Sequence, residues 1–111
     1  MKKINKLKEK GLKFDKNKEP LQLLPYESLK EIAKVLDFGA QKYGIYNWKK
    51  GIRYSRLIGA ALRHIYKFNE GIDLDEETKT LHIANACANL MFLIWMYIHR
   101  KDLDDRDKNE F

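Results

Sequence analysis

Apolar residues recur at helical spacing in three separate stretches of this chain. In the first, Leu29, Ile32, Ala33, Leu36 and Ala40 fall on one face, the signature of an amphipathic helix. It predicts a helix from Pro25 or Glu27 to about Lys42. Pro25 suits a helix start, Glu27 the positive end of the dipole, and Gly44 the stop. In the second, Leu57, Ile58, Ala61, Leu62, Ile65 and Phe68 form the apolar face of a helix over Ser55 to Asn69, with Ser55 as its N-cap and Gly71 as its end. The third begins near Asp75 or Thr78 and reaches about Arg100. It is apolar on nearly every side from Leu81 to Ile98, so it belongs at the centre of a bundle or in an oligomer interface.

The fold class expected is therefore all-α: a small bundle of three main helices with a basic N-terminal arm, completed by homo-oligomerisation. The chain divides into an arm over 1–19, a helical domain over 20–100 and a charged tail over 101–111. Gly11, Asn17 and Pro20 break any helical period in the arm. Leu12 and Phe14 alternate with lysines there and suit a short strand or an anchoring segment. Leu21, Leu23, Leu24 and Pro25 should dock on an apolar surface. At 111 residues the chain is one domain with a modest core, and an oligomer is the natural cover for leftover apolar surface.

Charge sharpens this picture only locally. The formal net charge is +6, and the first eighteen residues carry eight lysines against Glu9 and Asp15. Such an arm can bind nucleic acid non-specifically, but no DNA- or RNA-reading motif accompanies it, so nucleic acid is a weak reading. No secretory signal is visible. The longest apolar run, Leu90 to Ile98, is far below the roughly 20 residues of a membrane-spanning helix. Together with a single cysteine, Cys87, expected to be a small buried residue, this points to a soluble cytoplasmic protein.

Four groups of residues could carry chemistry. His82, Asn85 and Asn89 share a face of the third helix; they either fix the bundle's register through hydrogen bonds or line a pocket. Arg56, Arg63 and Lys67 share a face of the second helix and suit phosphate oxygens, although a solvated basic face has the same spacing. His64 lies between the basic and apolar faces. Asp73, Asp75, Glu76 and Glu77 form an oxygen-rich link of the kind a hard cation uses with substrate phosphates, while a helix N-cap is the plainer reading of Asp75. In the loop between the first two helices, Tyr43, Tyr46 and Trp48 accompany Lys42, Lys49 and Lys50. These rings either stack on bases or pack the loop onto the bundle.

Several blocks line up in order: Lys13-Phe14-Asp15, Leu23-Leu24-Pro25, Phe38-Gly39-Ala40-x-Lys42-Tyr43-Gly44-x-x-Asn47-Trp48, Ala60-Ala61-Leu62-Arg63-His64, Asp73-x-Asp75-x-Glu77-Thr78, and His82-x-Ala84-x-Ala86-x-x-Asn89-Leu90. Their order and spacing resemble the phage dATP/dGTP pyrophosphohydrolase-like family from about Lys13 to Tyr97. The resemblance implies a helical, phage-type protein that releases pyrophosphate from purine deoxynucleoside triphosphates with Mg²⁺. It implies Lys42, Arg63 and His64 on the phosphates and Asp73, Asp75 and Glu77 on the metal. Tyr43, Asn47, Trp48, His82, Asn85 and Asn89 complete the nucleotide site. Two positions depart from the family pattern: Ile72 stands where an acid precedes the first Asp, and Asn85 where a second histidine follows the first. The E-x-x-E and E-x-x-D pairs of other all-α nucleotide pyrophosphohydrolases are also missing. These departures favour the alternative, a non-catalytic binder that sequesters a nucleotide or nucleotide signal, for example one of host defence.

Overall fold

A computed structural model of the chain describes residues 7–107. The first six residues of the arm and the last four of the tail lie outside the described residues. Three helices carry the fold: α1, Tyr26–Tyr43; α2, Tyr54–Asn69; and α3, His82–His99. The described residues contain no strand. α3 packs on both α1 and α2, as its all-round apolar surface requires.

The tight core sits where α2, α3 and the loop before α2 meet. Tyr54, Leu57 and Met96 are its centre, and Trp48, Ile52, Phe92, Leu93, Trp95 and Leu103 pack around them. The Tyr54 hydroxyl donates to the Met96 carbonyl oxygen at 3.3 Å, so its polar end is satisfied without leaving the core. Trp48 stacks on Phe92 at 5.1 Å between centroids and meets Trp95 edge-on at the same distance. Its 3-10 turn, Asn47–Lys50, thus plugs the aromatic loop into the bundle.

Gly51 ends that turn at φ 111, a conformation that excludes a side chain in practice. A Cβ there would also lie 2.8 Å from Arg100 Nη1 and 3.0 Å from Leu103 Cδ1. Gly51→Ala is expected to lose about 1–3 kcal/mol of stability from backbone strain alone. Urea unfolding followed by circular dichroism measures it; an unchanged midpoint would contradict the reading.

The start of α2 departs from expectation. Ser55 does not cap it: Arg53 is the N-cap and offers no side-chain bond. The cap comes from fifty residues away instead. Asp105 accepts the Ser55 amide at 2.9 Å and the Ser55 hydroxyl at 2.5 Å, placing a negative charge at the positive end of the helix. The Ser55 hydroxyl, then its amide, hold the Asp105 carboxyl below its ordinary pKa. A carboxyl whose pKa falls on folding contributes stability above its ordinary range and loses it as pH drops through the folded value. Acidification from about pH 5 downward should therefore lower Tm, and Asp105→Asn should flatten that fall; parallel curves for the two proteins would refute the contribution.

α3 begins later than the sequence suggests. Asp75 does not start or cap it. Asp75 Oδ2 accepts the amides of Glu77 and Thr78 and the hydroxyl of Thr78, at 3.0–3.1 Å. It closes a turn, as an N-cap would, but Lys79 then enters the left-handed region at φ 62. The chain reverses, Leu74 bridges to Leu81, and the helix starts at His82.

Two burial expectations also change. Cys87 is exposed: it lies on the outer side of α3, while Ala84, Ala86 and Ala88 face inward and are buried. Leu12, Phe14, Leu21, Leu23 and Leu24 are exposed as well. Among the described residues, the segment before α1 forms no strand, and its leucines stay largely exposed.

Candidate functional site

A cleft of about 800 Å³ opens between α1, the aromatic loop, α2 and the α2–α3 turn. That volume lies in the range of small-molecule sites. Of the residues singled out above, Lys42, Tyr43, Asn47, Trp48, Arg63, His64, Asp75, Glu77, Asn85 and Asn89 all line it. His82, Asp73, Lys67, Lys49 and Glu76 are not among its lining residues. Lys50 and Arg56 are, although the resemblance did not point to them. The apolar walls come from Val35, Phe38, Leu57 and Phe92.

The cleft is electrostatically asymmetric. Lys42, Lys50, Arg56 and Arg63 face it with two carboxylates, Asp75 and Glu77. Lys42 is already tied to Glu77 at 3.1 Å, and the Glu77 carboxylate, then Tyr43, raise its pKa. Arg63 forms no salt bridge among the described residues. Its guanidinium folds back over Gly59, where an added Cβ would come within 3.3 Å of Nη1. An Arg with no carboxylate partner at the wall of a cleft is a charge available to an anion.

The aromatic loop serves two ends. Trp48 is held by Phe92 and Trp95 and so packs the loop. Lys49 rests on the Tyr46 ring at 4.3 Å from its centroid. The rings of Tyr43 and Tyr46 remain exposed at the cleft edge.

Asn85 and Asn89 are structurally engaged. Asn85 Nδ2 donates to Thr80 Oγ1 at 2.8 Å and to the Leu81 carbonyl at 2.9 Å; Asn89 Nδ2 donates to the Asn85 carbonyl at 2.9 Å. Their register-fixing role is therefore present, alongside their position on the cleft wall.

His82 is buried at the start of α3 and meets His64 of α2. Their Nδ1 atoms are 2.9 Å apart, so one ring donates and the other accepts. Two imidazolium rings would place N–H against N–H, and the pair cannot be doubly charged in this arrangement. Burial, then the neighbouring His82, hold the His64 pKa below its ordinary value, against the pull of Asp75. Burial alone would raise the Asp75 carboxyl, but the amide and hydroxyl of Thr78, with His64, outweigh it and hold the pKa low. One ligand-type atom from each of His64, Asp75 and His82 lies within 4.8 Å of the other two.

The residues of the acidic link have different surroundings. Asp73 is exposed and off the cleft; its backbone carbonyl accepts the His82 amide at 2.8 Å. Oδ2 of Asp75 is occupied by the turn, and Glu77 is paired with Lys42. Asp75 stands with His64 and His82, and of the other two acids only Glu77 shares the cleft with it. Sequence spacing could not reveal that trio, because its members come from α2, a turn and α3.

The family model described as dATP/dGTP diphosphohydrolase, N-terminal, matches residues 8–106. A protein of Salmonella phage PMBT28 named dATP/dGTP diphosphohydrolase is 42% identical over 96 residues, covering 86% of this chain. The chain spans only 33% of that relative's length. No solved structure matches. Among the described residues, no helix is long and apolar enough to cross a membrane.

Proposed function

Because this chain belongs to the dATP/dGTP diphosphohydrolase N-terminal family, we propose that its cleft binds a purine deoxynucleoside triphosphate and cleaves it between the α- and β-phosphates. The carrying observation is the cleft wall itself, where four cations and an aromatic face converge. Arg63, Arg56 and Lys50 take the phosphate oxygens, since positively charged donors aimed at a phosphate chain favour the charge that develops as it is cut. Trp48 and Phe92 offer the flat apolar wall for the base, and Asn89 an amide for its edge. Water adds at the α-phosphorus, the bridge to the β-phosphate breaks, and the products are a deoxynucleoside monophosphate and pyrophosphate.

The test is a nucleotide panel. The full chain is incubated with each common ribo- and deoxynucleoside triphosphate and Mg²⁺, Mn²⁺ or Zn²⁺ in turn, and products are separated by chromatography. dAMP or dGMP with pyrophosphate is the expected result. A nucleotide retained unchanged would replace this reading by the sequestering one. Neither turnover nor retention would overturn both.

The family member works as an assembly in this proposal. Among the described residues, four of the seven buried hydrophobic residues are alanines: Ala61, Ala84, Ala86 and Ala88. The radius of gyration is 18.6 Å, against about 13 Å for a compact chain of 100 residues. Ile83, Cys87, Leu90, Met91, Ile94, Tyr97 and Ile98 form one exposed stripe along α3, at the 3–4 spacing of a helix–helix seam. A second copy presents the same stripe, and a two-fold pairing covers both. Light scattering at micromolar concentration should give a multiple of the chain mass of 13.2 kDa; a monomer mass would defeat the pairing.

A further inference from the structure

His64, Asp75 and His82 come together beside the cleft, from α2, the α2–α3 turn and α3. We propose that these three residues form a binding site for a first-row transition-metal dication of the zinc class, with an open coordination position on the cleft.

The donor set comes first. Two imidazole nitrogens and one carboxylate oxygen suit borderline cations such as Zn²⁺ and Co²⁺, whereas Mg²⁺ prefers oxygen throughout. The spacing agrees. Two nitrogens at zinc-ligand distance, viewed from the ion at angles between square and tetrahedral, lie about 2.9–3.4 Å apart. The facing Nδ1 atoms are 2.9 Å apart, and the carboxylate is within 4.8 Å of both rings. Small rotations of side chains suffice, with no movement of the helices.

The surroundings are built to hold the carboxylate. The Thr78 hydroxyl has one proton, which goes to Asp75 Oδ2 at 3.1 Å. In the 2.6 Å contact between the two threonine hydroxyls, Thr80 is then the donor. Thr80 Oγ1 in turn accepts from Asn85 Nδ2 at 2.8 Å. This Asn85–Thr80–Thr78–Asp75 relay runs from a buried α3 residue to the turn. It fixes Asp75 as outer partners fix metal ligands. The bonds its carboxylate accepts from Glu77 and Thr78 all fall on Oδ2, which leaves Oδ1 for an ion. Asn85 thus acts as a positioning residue. Three protein ligands leave at least one position open, the arrangement of catalytic rather than structural sites. His64 and Asp75 line the cleft, so that position faces whatever the cleft holds.

The inference goes beyond the nucleotide reading, and its test contains no nucleotide; either can fail while the other stands. Metal-stripped, untagged full chain is titrated with Zn²⁺, Co²⁺ and Mg²⁺ by calorimetry, and Co²⁺ binding is followed by visible absorption. Expected are one Zn²⁺ or Co²⁺ per chain, Co²⁺ absorption bands of nitrogen–oxygen ligation, and far weaker Mg²⁺ binding. His64→Gln and Asp75→Asn should each weaken Zn²⁺ binding by about 100-fold or more, beyond the usual effect of outer partners. Both are chosen over changes at buried His82 because they leave the α2–α3 packing intact, which circular dichroism verifies; should one fail to fold, the other decides. No saturable Zn²⁺ or Co²⁺ binding, Mg²⁺ binding as tight as Zn²⁺, or a folded variant that keeps wild-type affinity within tenfold would each overturn the site.

Discussion

Met96→Ala should cost about 2–5 kcal/mol of stability, a large part of the total for a domain of this size. Met96 is completely buried, at 0% exposure, and it is the largest side chain so enclosed. It packs beside Tyr54 and Leu57, with Trp48, Phe92 and Trp95 around the cluster. Removing three heavy atoms leaves a gap that aromatic rings cannot easily fill, because each is held by another ring. The upper half of the range is expected for that reason: cost rises as collapse around the gap is prevented. Met96→Leu, which conserves volume, should cost under about 1.5 kcal/mol. Urea midpoints for the two variants measure the contrast. Similar losses in both would show that the site tolerates repacking, and the aromatic frame would not be rigid.

Arg63→Ala should weaken nucleotide binding by about 1.5–3 kcal/mol, the worth of a hydrogen bond to a charged group, or roughly 10- to 150-fold in Kd. Lys42→Ala supplies the internal comparison. Lys42 points its charge at Glu77, so a phosphate must compete with a carboxylate for it, and its removal also frees Glu77 to repel the ligand. Arg63 has no such partner among the described residues, and its planar guanidinium can bind two phosphate oxygens at once. Loss of affinity should therefore persist in Arg63→Lys, which keeps the charge but not the fork. Calorimetry with a non-hydrolysable triphosphate analogue reads all three variants. Unchanged affinity in folded Arg63→Ala would make the residue a surface charge only and would move the phosphate site elsewhere in the cleft.

The extent of α1 and α2 was legible from the sequence because hydrophobic periodicity is a local property. Leu29 to Ala40 and Leu57 to Phe68 mark α1 and α2 within a residue or two, since each needed only one apolar face against α3. The family was legible too, because Phe38 to Trp48 and Ala60 to His64 are contiguous blocks. Local rules failed where distant residues competed. Ser55 has the chemistry of an N-cap, yet Asp105 reaches the first turn of α2 and takes that role. Asp75 likewise has cap chemistry and spends it on a turn, because the left-handed Lys79 and the Leu74–Leu81 bridge reverse the chain before α3 can begin. Cys87 sits among small residues that are buried, but successive helix positions lie about 100° apart, and burial of Ala86 and Ala88 leaves Cys87 outside.

The site divides in the same way. Sequence alone determined which residue types gather near the cleft, because Lys42, Asn47, Arg63, His64 and Asn89 stand in contiguous motifs. Only the tertiary structure decided their partners. It paired Lys42 with Glu77, left Arg63 without a carboxylate, and set Asp73 outside. It brought His64 against His82, 18 residues away along the chain, with Asp75 alongside. The physical reason is that coordination and ion pairing depend on distances of a few ångströms between side chains on different elements. The packing of α2 on α3 and the reversal at Lys79 set those distances, and neither leaves a periodic trace in the sequence.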